Sequence, residues 1–276
     1  MNIAISSDNH FDINKAATSK IVFLQASYLK QLAIDYYFIT GDLFNNFEQT
    51  INYVEQLQRE VGSVPKIYFI AGNHDMLNGV TYAELERPNL HPQYLHHRIL
   101  QIPHKNLSVV GNNGWYDYSF SDQIGDNQKS TAEILRWKQS FWVDQKIDSP
   151  ISDQERMQNV LQQVETDFKQ VTRQHEKVLF LTHFVPHQNF IFDQLDHPRW
   201  QTINAFLGSK HLGDLIEKYP VQYAAFGHLH IRHLPQTIAN TTYIHQPLGY
   251  GVRRAFEWQQ TDFLTEWQRT LKILVV

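Results

Sequence analysis

Five short apolar runs constrain this chain more than anything else in it, because each one stops at a side chain of metal-ligand type. Met1 to Ser7 runs into Asp8-Asn9-His10, and Tyr36 to Thr40 runs into Gly41-Asp42. Pro65 to Ile70 runs into Ala71-Gly72-Asn73-His74-Asp75. Val178 to Thr182 ends at His183, and Val221 to Phe226 ends at Gly227-His228-Leu229-His230. Short runs of branched, aliphatic and aromatic residues bounded by such turns read as buried strands. Strands joined by crossovers place their C-terminal loops on one edge of a sheet, so these polar residues should converge. A single histidine reads as a surface or hydrogen-bonded core residue; five strand ends carrying ligand types do not read as chance.

The third turn carries an amide, an imidazole and a carboxylate in succession. The Asn73 carbonyl can ligate a metal, His74 can donate a proton, and Asp75 can hold the His74 ring in one tautomer. Alone, the stretch reads equally as a polar loop built on an Asx turn. The four other strand ends decide the matter.

The connecting segments have the pattern of crossovers. Asn14 to Ala33 reads as a helix, with Ile21, Leu24, Tyr28, Leu29 and Leu32 at helical spacing and Asn14 as N-cap. Asn46 to Val61 reads as a second, with Ile51, Val54, Leu57 and Val61 on one stripe. The result is βαβαβ. After a fourth strand at Leu107 to Gly111 comes an aromatic, turn-rich tract from Asn112 to Asp126, then helices at about Ser130–Lys146 and Ser152–Gln174. We read 112–174 as a helical cap insertion in an otherwise single domain of 1–276. A loop-rich stretch then leads to a helix near His211 to Tyr219. Thr242 to His245 and Leu271 to Val276 read as late strands of a second, mixed sheet packed on the first, and the alternation around Phe263 to Trp267 as a hairpin partner of the last one.

Composition narrows the function. With 42% hydrophobic and 19% charged residues, a chain of 276 residues can bury a substantial core. The net charge of −4 comes with no basic stripe, which disfavours non-specific polyanion binding, although a local metal cluster still attracts phosphate. No cysteine is present, which excludes disulfides and thiolate metal sites. No basic and apolar leader opens the sequence and no run approaches a membrane span, so a cytoplasmic protein without a membrane partner is expected.

Asp8-x-His10, Gly41-Asp42, Gly72-Asn73-His74-Asp75, His183 and Gly227-His228-x-His230 together resemble the calcineurin-like metallophosphoesterases. The resemblance spans most of the chain. It implies an α/β, four-layer αββα sandwich of two mixed β-sheets flanked by helices, with a two-metal site between the sheets. It implies Asp8, His10 and His230 as ligands of one ion, Asn73, His183 and His228 as ligands of the other, and Asp42 as the bridge. Two cations about 4 Å apart need such an anion to offset their repulsion. Imidazole with oxygen ligands suits manganese, iron, zinc or nickel. The implied reaction is hydrolysis of a phosphate ester by a hydroxide bridging the two ions, with His74 protonating the leaving oxygen and Asp75 orienting His74. One departure stands out: family members often carry an acid where this chain has Asn45.

The expected substrate is a small phosphorylated metabolite or nucleotide. Trp115 with its aromatic neighbours Tyr116, Tyr118 and Phe120, and Tyr250, Arg253 and Arg254 after the strand ending at His245, are candidates to stack a base and clamp a phosphate. His187, His233 and His245 lie near the site in sequence. The alternatives are a nuclease acting on nucleic-acid phosphodiesters, which a basic groove would favour, and a non-catalytic scaffold, which would be expected to lose His74 or ligands.

Overall fold

The computed structural model describes residues 1–121, 129–192 and 202–276. Residues 122–126 of the aromatic tract, and part of the loop-rich stretch after His187, lie outside them.

The first sheet has the order β12-β1-β2-β3. Its strands β1 (Asn2–Ser6), β2 (Tyr36–Ile39) and β3 (Lys66–Phe69) are parallel, with Ile3 opposite Tyr36 and Tyr37 opposite Ile67. The final strand β12 (Lys272–Val275) pairs antiparallel with β1. The second sheet has the order β4-β5-β6-β7-β9-β8. Here β5 (Leu107–Gly111), β6 (Lys177–Leu181), β7 (Val221–Phe226) and β9 (Thr241–His245) are parallel. Its edges, β4 (Arg98–Gln101) and β8 (Gln236–Ile238), are antiparallel. A small hairpin, β10 (Gly251–Val252) with β11 (Ala255–Phe256), stands apart.

The period of two along each strand builds the layers. Ile3 and Ile5 of β1 and Phe38 of β2 point to one side, where they form a core with Val109, Leu179, Leu181, Ala225 and Ile244 of the other sheet. The alternate residues Ala4, Tyr37 and Ile39 point outward onto α1 (Thr18–Gln31) and α2 (Phe47–Val61). On the far side, Val110, Val178, Phe180 and Ala224 meet Val160, Val164, Phe168 and Val171 of a long helix, Asp153–Arg173. Helix, sheet, sheet and helix make the expected four layers of an α/β sandwich.

Three elements depart from the sequence reading. The first helix begins at Thr18 with Ala17 as its cap. Asn14 instead donates to the carbonyls of Asn9 and Gly249 and accepts from Gly251 N–H, tying the loop after β1 to the β9–β10 connection. Phe263 to Thr270 is a helix, not a strand. Asp262 caps it by accepting from Thr265 N–H, and the buried side chains are Phe263, Glu266, Trp267 and Thr270, a helical spacing. Within 112–174, the helix Asp153–Arg173 is the crossover between parallel β5 and β6 and forms the outer layer of the second sheet, while α4 (Thr131–Phe141) and the 3-10 turn Val143–Lys146 precede it. In chain order the remaining helices are α3 (Tyr82–Leu85), α5 (Asp153–Arg173), α6 (Lys210–Ile216) and α7 (Phe263–Thr270). Among the described residues no helix is long and apolar enough to cross a membrane.

Candidate metal centre

The polar residues after β1, β2, β3, β6 and β7 meet where the C-terminal ends of the two sheets abut. Ser7, just past β1, bridges in parallel to Pro247, just past β9, so the sheets are joined at this edge. The turns are tightly interlocked. Asp8 N–H donates to the Gly41 carbonyl at 3.0 Å and His10 N–H to the Asp42 carbonyl at 2.9 Å. Asp8, His10, Asp42 and His228 all adopt a positive φ, between 43° and 70°. That region is costly for residues with a Cβ, and its concentration at four converging side chains is a sign of a functional site. Glycines permit the approach. A Cβ on Gly41, whose φ is +93°, would lie 2.5 Å from Gly72 N, and one on Gly72 would collide with the Asp42 carboxylate and stand 2.6 Å from His183 Cε1.

The ligand-type atoms form overlapping groups. Asp8, His10 and His230 lie with their atoms within 4.8 Å of one another, as do Asp8, Asp42 and His183. Asp42 Oδ2 is 3.6 Å from His10 Nε2 and 3.5 Å from His183 Nε2, the position of a bridge between two groups. Asn73 Oδ1 lies 3.0 Å from both His183 Nε2 and His228 Nδ1. All seven sequence candidates for metal ligation, Asp8, His10, Asp42, Asn73, His183, His228 and His230, are therefore brought together.

The hydrogen bonds behind these atoms test whether the residues suit cations. His183 Nδ1 donates to the Thr40 carbonyl at 2.8 Å, and His228 Nε2 donates to the Phe206 carbonyl at 3.1 Å. Each ring thus spends one N–H on backbone and turns its other nitrogen inward. Asn73 Nδ2 donates to Asp144 Oδ1 at 2.7 Å, so its carbonyl oxygen must face the two rings. The two inward ring nitrogens and the Asn73 carbonyl oxygen therefore converge, an arrangement suited to a cation. On the other side His230 Nδ1 faces Glu257 Oε2 at 2.8 Å and points Nε2 at His10 Nε2, 3.1 Å away. Asp8 Oδ2 is buried with no hydrogen-bond partner. The donor set fits two metal ions.

Charge reinforces this. Burial opposes protonation of His183, but Asp42 beside it outweighs burial and lifts the ring to about 9. His230, opposed by burial in the same way, is lifted to about 10 by Asp8 and Glu257. For His228, burial, with His183 adding repulsion, outweighs the pull of Asp42 and Asp8 and drops the ring to about 3. Of the proposed ligand rings, His183 and His230 are thus the two that hold protons where an ion would sit.

His74 is held differently. Its Nδ1 is 2.6 Å from Asn45 Oδ1, and its Nε2 faces the cavity, 3.4 Å from the Tyr250 hydroxyl. It also lies within reach of His10 and Asp42. Asp75 does not orient it. The buried Asp75 carboxylate accepts from the N–H groups of Asp42, Leu43, Phe44 and Gly72 and from the Thr50 hydroxyl. Asp75 fastens the Asp42 turn to the Asn73 turn, and Asn45 is the residue that aims His74.

The substrate candidates separate. Tyr250 lines the cavity, its ring 4.7 Å from His10 and 4.5 Å from His230. Trp115 is fully buried, donates its N–H to Asp153 at 2.8 Å and stacks under the Arg156 guanidinium at 3.7 Å. Tyr116, Tyr118 and Phe120 are buried with it. Burying that much ring area, with the indole N–H satisfied, outweighs exposing it at a rim. Arg253 and Arg254 are exposed on the turn between β10 and β11, outside the cavity lining. His187, His233 and His245 do not line it either.

This fold and site define a class. The profile of the calcineurin-like phosphoesterase family matches residues 1–232, and the chain belongs to that family. Among solved structures it is similar to a dimetal phosphatase from Danio rerio, with TM-score 0.51 and 12% identity over 89% of this chain and 86% of that one. It is also similar to the TT1561 protein of Thermus thermophilus, with TM-score 0.52 and 11% identity over 99% and 97% of the two chains. Comparison with curated proteins gives no match.

Proposed function

We propose that this chain is a metal-dependent phosphoesterase acting on a small phosphorylated metabolite or nucleotide. One observation supports the reading: seven ligand-type side chains cluster with His74, and four of them, Asp42, Asn73, His228 and His230, line one cavity together with His74. Asp8, His10 and His230 would hold one ion, Asn73, His183 and His228 the other, with Asp42 between them. When bound, the ions supply Lewis acidity and an activated water. The rest falls to the chain. His74 Nε2 faces the cavity and is placed to protonate the leaving oxygen. Asn45 holds its ring from behind, and the Tyr250 hydroxyl stands 3.4 Å from its Nε2 on the cavity side.

The test is a panel assayed on protein reconstituted with manganese, iron, zinc or nickel. Phosphomonoesters, cyclic nucleotides, dinucleotides and single-stranded DNA are the substrates. Turnover of the small esters with little on DNA is the expected result. Preference for DNA would make the protein a nuclease. No hydrolysis by protein carrying two ions would leave the scaffold reading.

A further inference from the structure

The cavity, about 380 Å³, lies within the usual range of roughly 300–1,000 Å³ for small-molecule sites. Its polar lining belongs to the metal centre and Tyr250. Its remaining walls include Phe141, Trp142, Val143, Ile203, Leu207 and Leu229. Among the described residues no lysine or arginine lines it, and no serine, threonine or carboxamide beyond Asn73. Against the described part of this wall, sugar hydroxyls or a second phosphate would leave water for side chains that offer them no hydrogen bond.

The wall is built, not incidental. Helix α4 ends at Phe141, and Trp142 turns out of the helix with extended backbone, φ −95° and ψ 134°. Phe141 stays 73% exposed, an aromatic ring that folding has left uncovered. Trp142 is fixed by stacking on Phe206 at 5.2 Å and by donating its N–H to Asp144 Oδ2 at 2.9 Å. The other oxygen of Asp144 holds the amide of Asn73. One buried carboxylate thus locks the apolar wall to a metal-ligating residue, and sets the distance between them.

We infer that the cavity takes a phosphate ester of an apolar, flat alcohol, aryl or arylalkyl, with the phosphate at the metal centre and the hydrocarbon against Phe141, Trp142 and Val143. This rests on the proposed hydrolysis and narrows it. Continuity names the occupant: the wall begins where the metal-centre side chains end, so what covers it is the ester's own organic half.

Two esters with primary alkanol leaving groups, 3-phenylpropyl phosphate and glycerol phosphate, separate apolar recognition from leaving-group basicity. The phenylpropyl ester should show kcat/KM at least about tenfold higher, carried mainly by KM, the factor that burying roughly 60 Å² of hydrocarbon supplies. Phe141→Ala, at an exposed position that folding does not need, should bring the ratio of the two esters towards one. Calorimetry gives a readout without turnover: 3-phenylpropylphosphonate should bind the metal-loaded protein with a negative heat-capacity change that shrinks in Phe141→Ala. Equal kcat/KM for the two esters, or a preference undiminished in Phe141→Ala, would overturn the inference. If neither ester is hydrolysed by protein holding two ions, the hydrolytic reading falls. The phosphonate titration then decides the wall by itself, and failure to bind sinks it.

Discussion

Among the histidines of the centre, His74 differs in where its ring points. His183 and His228 each anchor one nitrogen on a backbone carbonyl and aim the other inward, whereas His74 leans on an amide and opens to the cavity. His74→Ala should therefore keep both ions by elemental analysis yet lose about a hundredfold or more in turnover, the scale of a missing general acid. The loss should shrink for p-nitrophenyl phosphate, whose leaving group needs no proton; an equal loss for good and poor leaving groups would remove the acid role. Asp144→Asn tests the support of Asn73. An asparagine has one acceptor oxygen where Asp144 uses two, so it can serve Asn73 or Trp142 but not both. Affinity for the ion proposed to lie between Asn73, His183 and His228 should fall by about 10–100-fold, the scale of such supporting groups. Unchanged affinity by calorimetry would show that the Asn73 amide is held by other means. The ligands are legible in the sequence because each follows a strand. Asn45, Asp144 and Glu257 are not, because their contacts span 29, 71 and 27 residues of chain and nothing local marks them.

At the level of elements, α7 shows how a short amphipathic stretch misleads. Phe263, Thr265 and Trp267 alternate like a strand, but a strand would leave Glu266 and Thr270 without the burial they have here. Glu266, fully buried, pairs with Arg232 and Arg269, a use of charge that only tertiary contacts reveal. Asp262→Ala should remove the cap and cost about 1 kcal/mol, within the usual range of roughly 0.5–2. The measurement is the denaturation midpoint, and metal affinity should not move, since the Asp262 side chain serves Thr265 of its own helix and touches none of the proposed ligands. The helical stripe of α5 is plain in the sequence. Which sheet it covers is not, because that depends on β5 and β6 being neighbours, a pairing between segments about seventy residues apart.

For the whole molecule, the decisive fact is which sheet supplies which ligand. Asp8, His10, Asp42 and Asn73 follow strands of the first sheet, and His183, His228 and His230 follow strands of the second. Each proposed ion draws on both. Stripping the ions with a chelator should lower the melting temperature, and restoring them at a hundredfold excess over Kd should return about 2.7 kcal/mol per independent site. The pH dependence has a definite sign. In metal-free protein the rings lifted to about 9 and about 10 are protonated at neutral pH, and the stabilisation they give is lost as pH rises through those values. Ions must displace those protons, so uptake should release protons and tighten as pH rises from 6 towards 9. Uptake that weakens over that interval would contradict the assignment of His183 and His230. The division of ligands also orders events in time. Neither half of the chain owns a finished coordination site, so a nascent chain that has made only β1, β2 and β3 has an incomplete ligand set for either proposed ion. Metal capture would then be a late event, and an ion held tightly would certify that both halves had been synthesised and joined.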